Sequence, residues 1–529
     1  MASLSNFPVE AVTTPETVAR VVRDEFRRNM GQISRHSLVF FAGTIFTMGV
    51  GYVVKVYVAR VLGAELLGEY ALGMTLVSLT QLVGCLGLNG AAARYVAIYN
   101  GNGRYDDLRG FLTRSVGVVL SFNLVLSIGL LFRGQWLAQH LYHAPYLGHY
   151  ISFFAVLTVL GALNVFYCQV LAGFKDIAKR TIITNFVGTT LVSALTVALL
   201  ALGSGMQGYL WAQVINSIVV VAWLVAIAWK LTPKRARFSW AGLPPLEPDV
   251  KGFAAASMGM GALDFLVSQA DKVLLGLYLN PALVGIYVVA SALSALIPLI
   301  LQSVNQIFAP VIADLHSRKR SDVLQKLFQS LTKWVLGFTL PLGFVVIVFA
   351  APLMRIFGPA FEAGWPVLVI GAAGQLVNCG VGSVGFLLLM SGNQKRLMKV
   401  QFVMVGLSLL INITLIPVFG IIGAALAAVV VNVAGNLWNL AEVRKALAIF
   451  PYNRGYFALA LPGLLSVAAV IALRIWVLPL TRPWLGILAA LIVSYIVFAG
   501  FAVKFSLDDD DRMIAASAWA QLRANLLRR

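Results

Sequence analysis

Four ionisable side chains lie inside runs otherwise apolar enough to cross a bilayer: Lys55, Asp264, Asp271 and Lys272. A charge at the middle of a spanning helix costs about 2.5 to 3.5 kcal/mol on insertion scales, so each is expected to face protein or water and not lipid. At about 100° per residue, Asp271 falls about 20° from Asp264, Ser268 about 40° and Lys272 about 80°, so the set forms one polar stripe. The chemistry such groups offer is binding: amines offset an anion, and carboxylates take up a proton or a sodium ion. Two structural readings stand beside it. Lysines near the outer end of a helix can snorkel to the headgroups, and an Asp–Lys bridge needs no substrate.

The two lysines are matched. KVYVARVLGAELLGEYALGMTLVSL, from Lys55, and KVLLGLYLNPALVGIYVVASALSAL, from Lys272, run in register 217 positions apart, with 8 of 25 residues identical, among them Gly68/Gly285 and Tyr70/Tyr287. A duplicated membrane protein with an equivalent cation in each half is the pattern of a secondary transporter, whose halves expose a midplane site alternately to either side. The stripe of the first half is Thr44, Thr47, Gly51 and Lys55, which sets Thr47 against Asp264 and Gly51 against Ser268. The second half alone is therefore expected to supply acids for ion coupling or gating, from Asp264 and Asp271. Gln81 and Asn89, with Ser268, Thr47 and the amides Gln302, Asn305 and Gln306, are expected to complete the polar lining of a cleft. Amides in spans are also ordinary glue between helices. Pro298 precedes the amide cluster; it removes a backbone hydrogen bond and is expected to act as a hinge. Arg94, at the inner end of its span, can meet a phosphate or simply fix topology.

These residues must be held by spanning helices. The 529 residues are 60% hydrophobic and 12% charged, with a mean hydropathy of +0.86, which removes the chain from the soluble class. Apolar runs long enough for a hydrocarbon core of about 30 Å are expected near 38–62, 70–93, 111–132, 150–172, 181–202, 208–229, 252–279, 282–312, 334–350, 364–390, 400–417, 421–441, 456–475 and 485–505. The fold class is thus all-α and polytopic, with about fourteen spans. Six in each half make two bundles of like orientation, related by a pseudo-two-fold axis along the membrane normal. Two further helices follow.

The expected segments are a tail over 1–36 with an interfacial amphipathic helix, a first bundle over 37–230, a linker over 231–251, a second bundle over 252–441, two helices over 442–505 and a tail over 506–529. The linker carries Lys234, Arg235 and Arg237 and then LPPLEP, a stiff composition.

The net charge of +19 invites a nucleic-acid reading, and the placement of the cations argues against it. Of 40 Lys and Arg, 33 fall in the tails and even-numbered connections, and only Arg60, Arg133, Arg355, Arg474 and Arg482 flank the odd-numbered ones. That asymmetry puts both termini in the cytoplasm and assigns the positive charge to anionic lipid headgroups. The first 36 residues have no apolar core of a secretory signal. Cys85, Cys168 and Cys379 all fall in spans and read as packing residues.

Other patterns are weaker. No Walker A sequence is present, so no ATP hydrolysis and no cofactor is expected. GVGSVG at Gly380 to Gly385 has dinucleotide-fingerprint spacing but lies in an apolar span. His140, His143 and His149 share the longest outer loop, where solvated side chains are the default over a metal site. The outer connections are too short for an external catalytic domain, which argues against a membrane-embedded polymerase or ligase.

The motifs LGAELLGEYAL around Gly63 to Tyr70, IPVFGIIGAA from Ile416 and LMSGNQKR from Leu389, with the 6 + 6 + 2 layout, resemble the Wzx-type polysaccharide flippases of the multidrug/oligosaccharidyl-lipid/polysaccharide exporter superfamily. The resemblance covers about residues 37–505. It implies a non-enzymatic flippase of the bacterial inner membrane that moves a polyprenyl-diphosphate-linked oligosaccharide outward for exopolysaccharide, O-antigen or capsule synthesis. The partners it implies are that lipid-linked oligosaccharide, membrane lipids, and the glycosyltransferases and polymerase of the same pathway. In such proteins cations are thought to meet the diphosphate, a role carried here to Lys55, Lys272 and Arg94. The competing reading is a cation-coupled drug or metabolite exporter of the same superfamily, which typically has twelve spans.

Overall fold

Water is absent from the hydrocarbon layer, so a spanning backbone must satisfy its own hydrogen bonds, and an apolar chain of this kind does so as helices. The computed structural model describes residues 15–142, 144–237, 244–245, 247–476 and 483–505, with side chains from residue 42 onward save those of 145, 307, 310, 483 and 505. Among the described residues there are helices and no strands. Twelve helices are long and apolar enough to cross a membrane, or thirteen if a bent pair is one span. The interfacial-helix expectation for the first residues meets a helix from Pro15 onward, and the C-terminal tail from 506 lies outside the described residues.

The chain divides into two compact units: residues 1–269 with 280–282, and residues 270–279 with 283–529. The first unit holds α1 (Pro15–Cys85), α2 (Leu88–Gly101), α3 (Tyr105–Trp136), α4 (Pro145–Gly173), α5 (Ile177–Thr181), α6 (Thr189–Ala201) and α7 (Gly205–Leu231). A π-helical stretch over Ile182–Gly188 joins α5 to α6 in one span. Segment Ala42–Cys85 of α1 is 44 residues long, about twice what one crossing needs. It is broken at Gly63, whose φ of 79° and ψ of 178° lie outside the helical region. α4 is the hub, touching α1, α2, α3 and α7. Gly73 of α1 lets the Phe154 ring of α4 come within 2.2 Å of where a Cβ would stand.

α8 (Pro248–Tyr278) runs through the boundary between the units. The first compact unit runs on into α8 as far as Gln269. The reason is close packing of the beginning of α8 on the break between α1 and α2. Gly87, with φ +70°, allows Ala254 O within 1.9 Å of its missing Cβ, and Gly90 allows Ser257 Oγ within 2.0 Å. The connection before α8 is docked as well. Tyr95 OH donates to Asp249 Oδ2 at 2.7 Å, Tyr99 OH donates to Glu247 Oε2 at 3.1 Å, and Arg104 bridges Glu247 and Asp107. The linker is thus fastened to the first unit by its own acids. Arg104 hydrogen-bonding to Glu247 holds that carboxyl below the usual carboxylate range.

The second unit continues with α9 (Pro281–Ser294), α10 (Leu299–Ser317), α11 (Ser321–Val348), α12 (Ala350–Arg355), α13 (Trp365–Val381), α14 (Val384–Met390), α15 (Gln394–Phe419) and α16 (Ile421–Leu447). α17 (Arg454–Phe457), α18 (Ala460–Trp476) and α19 (Pro483–Phe505) follow. α18 and α19 pair with each other and pack on α11. They are stitched there by hydroxyls: Ser466 and Ser494 share a bond of 2.8 Å, Ser494 donates to Pro341 O, and Tyr495 donates to Phe338 O. Arg474 donates to Val348 O, a cation placed at a helix C-terminus where the macrodipole favours it.

Candidate substrate and coupling site

On α1, Lys55 is half-buried, with Nζ 5.4 Å from the centroid of the Tyr52 ring, a cation–π contact one turn away. Thr47 turns into the unit: its Oγ1 donates to Asn185 O at 3.2 Å and lies 3.1 Å from Thr189 Oγ1. Between them Gly51 has no atom within 4 Å of where a Cβ would stand. The stripe expected on this helix is therefore split, with Thr47 joined to the π-helical stretch and the edge of α6 while the Gly51 position is open.

On α8 the acids also separate. Asp264 and Ser268 are exposed, Ser268 Oγ donating to Asp264 O at 2.7 Å. Asp271 and Lys272 are half-buried. Asp271 Oδ2 accepts from Tyr287 OH on α9 at 2.6 Å, and its Oδ1 accepts from the Lys272 backbone N–H at 2.8 Å. Tyr287 is among the largest fully buried side chains, so this bond lies in the body of the second unit. A carboxylate held this way by a hydroxyl is short and charge-assisted.

The amides divide between glue and exposure. Gln81 lies over Gly161 of α4, its Nε2 within 1.9 Å of the missing Cβ, and reaches Leu157 O at 3.5 Å. Asn89 is half-buried near the start of α2. Gln302 and Gln306, one turn apart on α10, are exposed, while Asn305 is buried with an Oδ1 that has no hydrogen-bond partner. Pro298 caps α10 where the chain bends by 52° between α9 and α10. Arg94 is exposed, with its guanidinium 4.6 Å from the Phe253 ring and 5.5 Å from that of Tyr95.

The remaining motifs meet structural roles. GVGSVG falls where α13 stops and α14 starts; Gly382 takes φ +80° with Thr332 Oγ1 2.4 Å from its missing Cβ, and Gly380 O accepts from Tyr456 OH. Helices stand on both sides, so the strand that a dinucleotide fingerprint requires is missing at this place. Among the described residues no three His, Cys, Asp or Glu are grouped to hold a metal; His140 stacks on Trp136, and His143 lies outside the described residues. The three cysteines are free and buried.

One buried group escaped the sequence reading. Glu69, inside the GEY of the first matched stretch, has a relative exposure of 0% and neither carboxylate oxygen is hydrogen-bonded. The first half thus also carries an acid in its interior, in addition to the exposed Asp264 and half-buried Asp271 of α8. Glu69 stands one position before the apolar run expected near 70–93.

With the geometry in hand, the model of the family described as "Polysaccharide biosynthesis protein" matches residues 33–316. The chain belongs to this family. Relatives include the probable flippase AglR of Haloferax volcanii, 24% identical over 80% of this chain and 86% of its own length. The succinoglycan biosynthesis transport protein ExoT of Rhizobium meliloti is 24% identical over 61% of this chain and 62% of its own. The fold is that of transporters of the multidrug/oligosaccharidyl-lipid/polysaccharide superfamily. A solved lipid II flippase MurJ in an inward closed conformation superposes with a TM-score of 0.71 at 14% identity, over 88% of this chain and 98% of that one. An inward-facing multidrug resistance MATE family transporter gives 0.62 at 13% identity, over 78% and 98%. A family of polysaccharide biosynthesis, an all-helical transporter fold and a multi-pass membrane chain are thereby established.

Proposed function

We propose that this protein is a flippase that carries a polyprenyl-diphosphate-linked oligosaccharide from the inner to the outer leaflet of a plasma membrane by alternating access. The observation that carries the reading is the recurrence of an intramembrane lysine at the same place in each half of a duplicated chain, Lys55 and Lys272. Relatives named as a probable flippase and a glycan transport protein support it. In this mechanism the lysines offset the charge of the diphosphate, Arg94 meets it at the cytoplasmic mouth, and the lipid tail stays in the bilayer. Asp264, Asp271 or both take up a cation that resets the cycle, with Gln81, Asn89, Thr47, Ser268, Gln302, Asn305 and Gln306 as polar lining. The bend at Pro298 is the proposed hinge. No residue makes or breaks a covalent bond.

The layout that goes with this reading has fourteen spans, two of them made from Ala42–Cys85 on either side of Gly63, both termini in the cytoplasm, and two bundles related by a pseudo-two-fold axis. Glycosyltransferases supply the substrate and a polymerase consumes it. The test is a strain lacking the chain. Lipid-linked glycan is expected to accumulate on the inner leaflet; unpolymerised glycan found already translocated would instead assign the protein to polymerisation.

A cation-coupled exporter is the second reading, favoured by the likeness to the MATE structure. Cation-driven dye efflux from vesicles separates it, since the flippase account expects none.

A further inference from the structure

Glu69 stands at the first turns of α1 after the break at Gly63, and it is the one acidic side chain in the fully buried class among the described residues. The ionisable groups that act on it are Glu65, one turn earlier on the same helix, and Tyr150 on α4. Neither brings positive charge. The backbone N–H closest in role is that of Leu147, in the first turn of α4, and that N–H already donates to Ala144 O at 3.1 Å. From α7 the nearby polar side chain is Tyr209, whose ring is tilted against that of Tyr70 with centroids 4.7 Å apart. An ionised carboxylate in this place has given up its hydration for no more than a share in the Leu147 N–H, a costly exchange. A neutral carboxylic acid is far cheaper to bury.

The duplication shows that the fold itself does not need an acid there. The 217-residue offset carries Glu69 to Ile286 and Leu147 to Gly364. The second unit repeats the geometry in hydrocarbon: Ile286 is 5% exposed, and its Cγ2 lies 2.6 Å from where a Cβ of Gly364 would stand. The same helix crossing is thus filled once by isoleucine and once by an unpartnered carboxyl group. A buried ionisable group that packing does not require is a candidate for a role in binding.

We propose that Glu69 is a proton-binding site. In the packing seen here the side chain is a neutral acid; when the α1 and α4 ends separate and water enters, the proton passes to water and a carboxylate remains. Bringing the ends together again requires the proton back, which couples proton uptake to closure of the first unit. The coupling to transport rests on the flippase reading, whereas the proton binding does not. A metal cation is a poorer occupant, because it needs several oxygen donors and the carboxyl stands without others hydrogen-bonded to it.

The experiment uses the full chain reconstituted in phosphatidylethanolamine/phosphatidylglycerol bilayers and follows carboxyl vibrations by infrared difference spectroscopy across pH. A protonated-carboxyl band near neutral pH that is lost in both Glu69→Gln and Glu69→Ile is expected. The second variant carries the residue of the equivalent place in the other unit and is expected to fold. Identical spectra in the wild type and both variants, or a band that follows sodium at fixed pH, would overturn the proposal. The second arm measures headgroup flipping: the wild-type rate is expected to vary by up to about tenfold per pH unit, with both variants flat within about twofold. A pH profile unchanged in the variants overturns the coupling. Absence of flipping by the wild type overturns the flippase reading alone, and the infrared arm still decides whether Glu69 binds the proton.

Discussion

In the first unit the Tyr70 ring packs tilted against that of Tyr209 with centroids 4.7 Å apart; in the second, Tyr287, its equivalent, gives its hydroxyl to Asp271 at 2.6 Å. The position equivalent to Asp271 in the first unit is Val54, and the position equivalent to Glu69 in the second is Ile286. Lysine, glycine and tyrosine are kept on both sides, while each unit places its buried or half-buried acid where the other has a hydrocarbon. The shared glycine and tyrosine are therefore assigned to the crossing of helices, and the shared lysines to the substrate. The exchanged ones are free of that duty, and they are where function is expected to differ between the halves.

Exchanging the acids is the most damaging way to break this comparison. Ile286→Glu places an acid against Gly364 in a site evolved for hydrocarbon and is expected to cost about 3 kcal/mol or more, read as a large fall in thermal midpoint. A fall no larger than that of a surface substitution would show that the second unit accommodates an acid as readily as the first. Next in size is Asp271→Leu, which leaves the buried Tyr287 hydroxyl without its acceptor and is expected to cost about 1–3 kcal/mol. Asp271→Asn, which keeps an acceptor, is expected to recover most of that. Equal losses for the two would mean that the Tyr287 bond contributes little.

Glu69→Ile is expected to act in the opposite direction, stabilising the first unit by about 1 kcal/mol, because a polar group without a partner is replaced by an apolar side chain. A destabilised variant would mean that Glu69 is held by bonds formed only in another conformation. The smallest effect is assigned to the linker. The Glu247 carboxyl is held below its ordinary range by Arg104, so its bond contributes at neutral pH and is lost as pH falls through that lowered value. Glu247→Gln is expected to leave the thermal midpoint nearly unchanged, since the pair is exposed, and to remove this weak acid dependence. Hydrogen exchange at α2 would show it first.

Much of the scaffold was legible in composition and spacing. Runs of apolar residues marked the spans, the gap between the runs near 38–62 and 70–93 and Pro298 marked the breaks, and the matched Lys55 and Lys272 pointed to the duplication. The site was less legible, for reasons of geometry. Spacing on an ideal helix put Thr47 and Asp271 on the polar stripes of their helices, but it carries no information on which neighbouring helix supplies a partner; Asn185 and Thr189 are remote from Thr47 in sequence, and the repeat that matches Tyr287 to Tyr70 does not pair it with Asp271. Glu69 was hidden because hydropathy averages over a window, and a glutamate at the edge of an apolar run looks like a headgroup residue. The close packing of α8 on Gly87 and Gly90 was equally out of reach, since spacing along one helix does not show which other helix approaches it.

The central claim is that the two matched lysines together meet the substrate's diphosphate. It is tested most directly by an accessibility assay of the lipid-linked headgroup at the outer face, in cells carrying Lys55→Ala, Lys272→Ala or both at equal protein levels. The account predicts a partial loss in each single variant and a loss of at least about tenfold in the double, equivalent to about 1.4 kcal/mol. Normal flipping in the double variant would contradict it.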